Sequence, residues 1–448
     1  MPTATADRLR HAIAAHAAAI AKASRPKDEP PDARAFSPRD ARIPDDTEDG
    51  AGALHVAPPP IDRILGGEWL DTEHGPVFVR DTWHALDHEH GASILGDILD
   101  VSPDAIGMLS ASRADHVDPA PAVDPAACAF FDIETTGLSG GTGTYIVLAG
   151  LGTFEQPVPD EPLAFRLRQY FLAGLEHERA MLALLAADLA HRDAVVTYNG
   201  RAFDLPIVES RLTMSRLKSP CRALAHIDLL HHVRSLYAHR FPGCKLAEAE
   251  RRLLRLERFD DLPGFMIPPL YRDYLVAGRA APGRAARLRP VFRHNADDVI
   301  SLVGVLSRLA TMLTHDDHDP DDGVALARWW ERRGDEQRAM RLYRAALPWL
   351  DGDGAWPWAA ARHARLCRRA GRRDEAAALW RTLFERGDAA AGLALAKHLE
   401  HHERALGPAR EAVESLLQLA AEDGKPALIH RLRRIESKAD RARRRAAA

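Results

Sequence analysis

The stretch FFDIETTGL places two carboxylates, Asp132 and Glu134, two residues apart in a segment that reads as a strand. Side chains alternate across a strand, so both acids project from one face. Phe130, Phe131 and Ile133 beside them are apolar and bury that strand. Two acids facing one way among buried neighbours repel each other unless something positive lies between them. A divalent cation is the simplest answer, and hard oxygen donors suit Mg2+ or Mn2+. An Asp-x-Glu pair alone is a weak signal, because such pairs are common on exposed strands. The continuation TTGLSGG strengthens it.

A second constellation, RHNADDVISL (293–302), puts a histidine and two adjacent aspartates in a segment with helical periodicity. Residues i and i+4 share a helix face. From Asp298 the steps reach Leu302, Val305 and Leu309 in one direction and His294 and Val291 in the other. From Asp297 they reach Ser301, Gly304 and Arg308, a polar stripe. The phase predicts that Asp298 faces the core and Asp297 faces water. Asp204, in VVTYNGRAFDLPIVESR, follows a buried strand and a loop at the start of a helix; its residues alone allow a ligand or a helix cap. Asp228, in HIDLLHHVRSLY, has the same setting and reads as a cap or an outer partner.

These groups need a scaffold. The 448 residues, 46% hydrophobic and 28% charged, suffice for two or three domains with their own cores. A formal net charge of −4 provides no global field toward nucleic acid or an acidic membrane, so any nucleic-acid contact must be local. Between Arg234 and Arg293 there are 13 Lys and Arg against 6 Asp and Glu. That strip either follows a phosphate backbone or solvates helices. The four cysteines (Cys128, Cys221, Cys244, Cys367) form no CxxC pair and have no histidine at finger spacing, which argues against a zinc site or a disulfide framework. The longest apolar run, YIVLAGLGTF, is too short to span a bilayer, and no cleavable leader is evident. A soluble, cytoplasmic protein without a membrane partner is expected.

Residues 1–55 read as a flexible arm, an Ala-rich helix to about residue 24 and then a Pro-, Asp- and Arg-rich linker. Residues 56–125 form a small extension with a β-hairpin around GGEWLDTEHGPVFVRDTW. Its His84, His88 and His90 are a weak metal signal. Residues 126–316 run through a strand meander and then alternate strands with helices, which predicts an α/β sandwich around a mixed sheet. Residues 323–430 are helical and repetitive: GDEQRAMRLYRAAL recurs as GRRDEAAALWRTLF 37 residues on, with a weaker third copy. The tail, 431–448, carries eight Lys and Arg against two acids. It reads as a frayed, solvated helix end or as a tether to nucleic acid or a ribosome surface.

FFDIETTGL resembles the first motif of the DEDD-superfamily exonucleases, which are built on the ribonuclease H fold. The longer string FFDIETTGLSGGTGTYIVLAGLG is similar to the YprB-type ribonuclease H-like family, often joined to tetratricopeptide repeats, whose Gly, Ala, Tyr and Ala-Leu spacing the helical repeats resemble. The resemblance covers about residues 126–313 and the domain order. It implies an α/β ribonuclease H-like domain, a mixed five-stranded sheet flanked by helices, followed by an all-α tetratricopeptide-like domain able to bind a protein partner. The family's Asn-x-x-x-Phe-Asp signature is matched by Asn199, Phe203 and Asp204, which implies Asp204 as a third metal ligand. With Asp132, Glu134 and Asp298 it would hold two Mg2+ or Mn2+ ions. The family places a Tyr or His before the last aspartate, with three intervening residues for Tyr and four for His. His294 has three: histidine chemistry at tyrosine spacing. It is either the general base for a water or an orienting group. Thr135, Thr136, Gly137 and Leu138 are implied to line the substrate end, with Leu138 against the terminal base, and Asn199 and Phe203 to shape the same pocket. The implied activity is metal-dependent 3′–5′ hydrolysis of single-stranded nucleic-acid ends. The alternatives are a nucleic-acid-binding scaffold with partner-binding repeats and little or no hydrolysis, and a structure-selective endonuclease. DNA and RNA are not distinguished, since that rests on contacts to the 2′-OH.

Overall fold

Strand and helix patterns resolve as the periodicities require. The computed structural model describes residues 61–110, 121–137, 143–238, 240–259, 261–277, 282–315, 318–350 and 354–447. The Ala-rich segment, the linker and Leu138 lie outside them. Seven strands form one sheet: β1 (Glu68–Thr72), β2 (Gly75–His84), β3 (Cys128–Thr135), β4 (Ile146–Glu155), β5 (Ala164–Phe171), β6 (Ala194–Thr197) and β7 (Ala225–Asp228). Their spatial order is β1-β2-β5-β4-β3-β6-β7. All neighbours are antiparallel except β3–β6 and β6–β7, which are parallel. The mixed sheet has two strands beyond the five expected. The β1–β2 hairpin of the extension pairs with β5, with Phe78 opposite Phe171, and so continues the sheet. It covers the edge of β5, and the short β1 becomes the edge strand instead.

The helices of eight residues or more are α1 (Pro103–Ser110), α2 (Glu178–Leu189), α3 (Asp204–Met214), α4 (Leu229–Tyr237), α5 (Ile267–Ala277), α6 (Arg289–Thr314), α7 (Pro320–Arg333), α8 (Glu336–Ala346), α9 (Ala355–Arg369), α10 (Arg373–Glu385), α11 (Ala389–His398), α12 (Leu406–Leu419) and α13 (Lys425–Ala447). Alternation along β3 sends Phe131 and Ile133 to one face, where they join α2, α3 and α5. Phe130 points the other way, into a core shared with α1, α4 and α6.

Helix α6 is the longest element of that core. Pro290 fits its first turn, where a missing N–H costs nothing. At 26 residues it is about 39 Å long. It lies across β4 where that strand carries Gly150 and Gly152. A Cβ at Gly150 would come within 2.4 Å of Asn295 Oδ1, and one at Gly152 within 2.8 Å of Val299 Cγ1. Only glycine permits so close an approach.

The phase of α6 differs slightly from the expectation. Its innermost line is Val291, Asn295, Val299 and Leu302, with His294 and Asp298 at one edge, half-buried. Of the stripe expected to face water, Arg308 does so, but Asp297, Ser301 and Gly304 do not. Ser301 is fully buried against His90, Oγ to Nε2 2.7 Å, and a Cβ at Gly304 would touch Leu254 and Ser93. Asp297 itself is half-buried, and burial raises its pKa against the opposing charge of Arg258. The residues around His90 and Leu254 cover this face, which helical phase alone cannot foresee. The histidines His84 and His88 pack ring to ring at 4.5 Å.

Helices α7 to α13 form the all-helical C-terminal region. Gly334 ends α7 in the left-handed conformation (φ +87°), and Asp335 then caps α8 by accepting from the Arg338 N–H. Gly371 plays the same part after α9 (φ +78°). One apolar core runs from Phe130 and Val196 of the sheet through Leu309 and Leu313 of α6 to Trp329, Tyr343, Cys367 and Val413. The basic tail is not a frayed end as far as Lys438. Ile435 is buried, and Arg431, Arg434 and Lys438 surround the buried carboxylate of Glu400 at 2.7–2.9 Å.

Burial alone would raise the Glu400 carboxyl, but the hydrogen bonds and charge of Arg434 and Lys438 hold it at about 2. A depressed carboxylate contributes fully above its ordinary range and is lost only as pH falls toward that value. Helix α13 should therefore stay docked at moderately acid pH. Glu400→Gln should release it. Limited trypsin digestion is expected to remove the tail of this variant at least about tenfold faster than wild type, corresponding to only about 1.4 kcal/mol of local opening. The rest of the chain should remain resistant.

Candidate active site

The acids converge at the C-terminal end of β3. Asp132 and Glu134 share the face turned toward α6, and a β-bulge at Glu134/Thr135 ends the regular pairing with β4. Asp204, 4% exposed, opens α3 behind the loop that follows β6. The backbone amides of Asp204 itself and of Ile133 in β3 favour its ionised form. Asp298 reaches in from α6.

Their electrostatics follow from that crowding. Burial, and then repulsion from Asp298, Glu134 and Asp204, raises Asp132 well above the carboxylate range, against one hydrogen bond from Asn295. Burial takes Glu134 to about 8, opposed by the charge of His294 and reinforced by Asp298 and Asp204. Burial takes Asp204 to about 7 despite the opposing effect of those two amides. Hard oxygen donors, drawn together and partly out of water, are the donor set that Mg2+ or Mn2+ requires.

His294 Nδ1 lies 2.7 Å from Asp261 Oδ1, and its Nε2 lies 3.8 Å from both Glu134 Oε1 and Asp298 Oδ2. Burial would lower its pKa, but Asp298, Glu134 and Asp261 together raise it. Asp298 Oδ1 is 2.5 Å from Arg258 Nη2, a guanidinium also bonded to the buried Glu250.

The substrate-side residues divide. Thr135 Oγ1 donates to Gly137 O at 2.8 Å, and Thr136 bridges to Tyr145 through both its backbone and its hydroxyl, which orders the turn after β3. Across the cleft Asn199 is exposed in the left-handed region (φ +68°), and Phe203 is half-buried just before Asp204. Asp228 holds that loop. It accepts from the N–H groups of Asn199 and Arg201 at 2.8 and 3.1 Å and caps α4 through Leu230. Much of the basic strip is internally paired: Arg251 and Arg252 with Glu248, Arg284 and Arg287 with Asp273.

Four positioning residues escaped the sequence reading. Asn295, fully buried, donates to Asp132 Oδ2 at 2.9 Å and accepts from Gln169 Nε2 at 2.9 Å; Gln169 also donates to Phe292 O at 2.7 Å. Gln169, Gly150 and Asp132 lie opposite one another on three adjacent strands, so the relay spans the sheet. An Asn in the otherwise apolar 291/295/299/302 stripe was its one visible signal. Asp261 and Arg258 sit more than thirty residues before His294 and Asp298, with nothing local to mark them.

The ribonuclease H superfamily model matches residues 129–310, the span from β3 through α6 that carries every acid of this cleft. Residues 129–310 are a ribonuclease H superfamily domain. The uncharacterized protein YprB of Bacillus subtilis (strain 168) is 29% identical over 356 residues, covering 77% of this chain and 81% of that protein. The similarity therefore extends beyond the ribonuclease H-like domain. Among the described residues no helix is long and apolar enough to cross a membrane.

Two outcomes are expected of this ribonuclease H-like cleft. Asn295→Ala leaves Gln169 and Asp132 without their shared partner. It should weaken Mn2+ binding about 10–100-fold, read by calorimetry, and cost about 1–3 kcal/mol in urea unfolding. The raised acids also set a sign. Folded Glu134 and Asp204 retain protons that the unfolded chain has released, so stability without added cation falls as pH rises from about 5 to about 8. Mn2+ should raise the thermal midpoint more at about pH 8 than at about pH 5.

Proposed function

We propose that this protein is a metal-dependent 3′–5′ exonuclease that hydrolyses phosphodiester bonds at single-stranded nucleic-acid ends through a two-metal site. The observation that carries the reading is the set of four converging carboxylates, Asp132, Glu134, Asp204 and Asp298, three of them with pKa values raised as burial requires. These residues would hold two Mg2+ or Mn2+ ions. When bound, such ions supply a lowered pKa for an attacking water and offset charge on the phosphate.

The protein's own groups do the rest. Asp261 at Nδ1 holds the His294 ring with Nε2 toward Glu134 and Asp298, where that nitrogen takes a proton from water. The two largest Coulomb causes of its raised pKa disappear when the charge on those two acids is neutralised, which leaves that of Asp261. Asn295 and Gln169 fix the Asp132 carboxylate, and Asp228 fixes the loop bearing Asn199. The turn Thr135–Gly137, with Leu138 beyond it, and Asn199 and Phe203 opposite are the two sides between which the terminal nucleotide lies.

On this reading residues 126–316 are the hydrolytic unit, 56–125 its extension, and 323–430 a tetratricopeptide-like array for a protein partner, in a reducing cytoplasm consistent with four unpaired cysteines. One observation favours a second reading, a nucleic-acid-binding scaffold with little or no hydrolysis: Arg258 already occupies one oxygen of Asp298.

The test is a panel of 3′- and 5′-labelled DNA and RNA, single-stranded, double-stranded and circular, with and without Mn2+. Stepwise Mn2+-dependent shortening from the 3′ end of single strands is expected. Asp132→Ala should lower its rate at least about 10²-fold, and His294→Ala about 10²–10⁴-fold. Cutting of circles would identify an endonuclease. Binding without shortening of any substrate would leave the scaffold.

A further inference from the structure

Far from the acidic cleft, three potential ligands meet between α9 and α10. His363 and Cys367 are four residues apart on α9 and so share one face. Glu375 enters from the first turn of α10. One ligating atom of each lies within 4.8 Å of the other two. This is helical rather than finger spacing, and the cysteine count alone gave no hint of it.

The imidazole is the anomaly. His363 is 3% exposed, yet neither ring nitrogen has a hydrogen-bond partner among the described residues. Two other buried histidines, His232 and His398, do not behave so. His232 bonds Leu109 O at 2.9 Å, and His398 lies 3.0 Å from Glu403. A buried polar group left without a partner costs about 1–3 kcal/mol. Here the ring stacks on Tyr343 and faces a fully buried thiol whose only hydrogen bond among the described residues is a 3.7 Å contact to Glu375 Oε2. Burial also keeps the ring neutral, as a ligand must be.

The surroundings complete a site. Arg344 Nη2 holds Glu375 Oε2 at 2.6 Å, and Arg372 stands 3.7 Å from Oε1. An outer cation of this kind orients a carboxylate without using up its lone pairs. One nitrogen, one sulfur and one carboxylate oxygen form a borderline-soft set, suited to zinc and poor for Mg2+. A thiolate and a carboxylate together balance the charge of a divalent ion.

We propose that His363, Cys367 and Glu375 form a binding site for a zinc-class divalent cation, which ties α9 to α10 and leaves a fourth coordination position at the exposed Glu375 edge. It is independent of the carboxylate cleft and of the reaction assigned there.

Co2+ is the probe, because its thiolate complexes give a charge-transfer band that an oxygen and imidazole site cannot. The full-length reduced protein, with excess Mg2+ present, should develop this band to saturation at one Co2+ per chain and lose it on addition of Zn2+. Cys367→Ser, nearly isosteric, should abolish it. Glu375→Gln, a surface change, should weaken Co2+ at least about tenfold, since even an outer partner of a ligand is worth that much. Asp132→Ala should leave the band intact. No charge-transfer band in wild type, a band that survives Cys367→Ser, unchanged affinity in Glu375→Gln, or loss of the band in Asp132→Ala would each overturn the proposal.

Discussion

The cleft depends on how closely α6 can lie on β4. Four carboxylates that repel one another do not assemble unaided, so the scaffold must supply the free energy of bringing them together. It does so by apolar contact along the inner line of α6, and that contact requires two glycines beneath it. Gly150 admits the Asn295 side chain to the sheet surface, and Gly152 admits Val299. Once Asn295 is seated, its amide meets Gln169 on one side and Asp132 on the other, and the first acid of the site is locked in place. A methyl group in the wrong place on β4 would lift the helix and with it Asp298 and His294.

Charge at the cleft is handled differently on its two flanks. Toward β3 and α3 the acids are buried, with pKa values near or above neutrality; amides compensate Asp132 and Asp204, and the charge of His294 compensates Glu134. Toward α6 the compensation is ionic. Arg258 joins Glu250, Asp261 and Asp298, and His294 completes the ring through Asp261. The pKa of His294 is therefore a property of the whole cluster, because three carboxylates contribute to it.

Which parts of this were legible in the sequence follows from the range of the interactions. Asp132 and Glu134 were readable because alternation along a strand is local, and α6 because its apolar period runs through 26 residues. A mixed five-stranded sheet was implied by resemblance, but the joining of β1 and β2 to β5 was not, since register between distant strands leaves no local mark. The exposure of Asp297 was misjudged for the same reason. A polar stripe looks solvated until a loop from elsewhere, here the one around Leu254 and His90, is laid over it. Arg258 and Asp261 belong to that class entirely, being chemistry brought in by a segment without periodicity. The tail illustrates the same error. Its basic residues read as solvated because their partner, Glu400, lies some thirty residues upstream.

Helix α6 has one further consequence. Its first turns carry the cleft residues, while its last turns are buried among Trp329, Tyr343 and the helices that follow. It works as a single beam built into two walls. Beams of this kind do not fray from an end, so opening the cleft by local melting would also have to unseat the helical region behind it. Asp298 is thus carried by a helix held at both ends, and opening of the cleft falls to the loops around it rather than to movement of that helix.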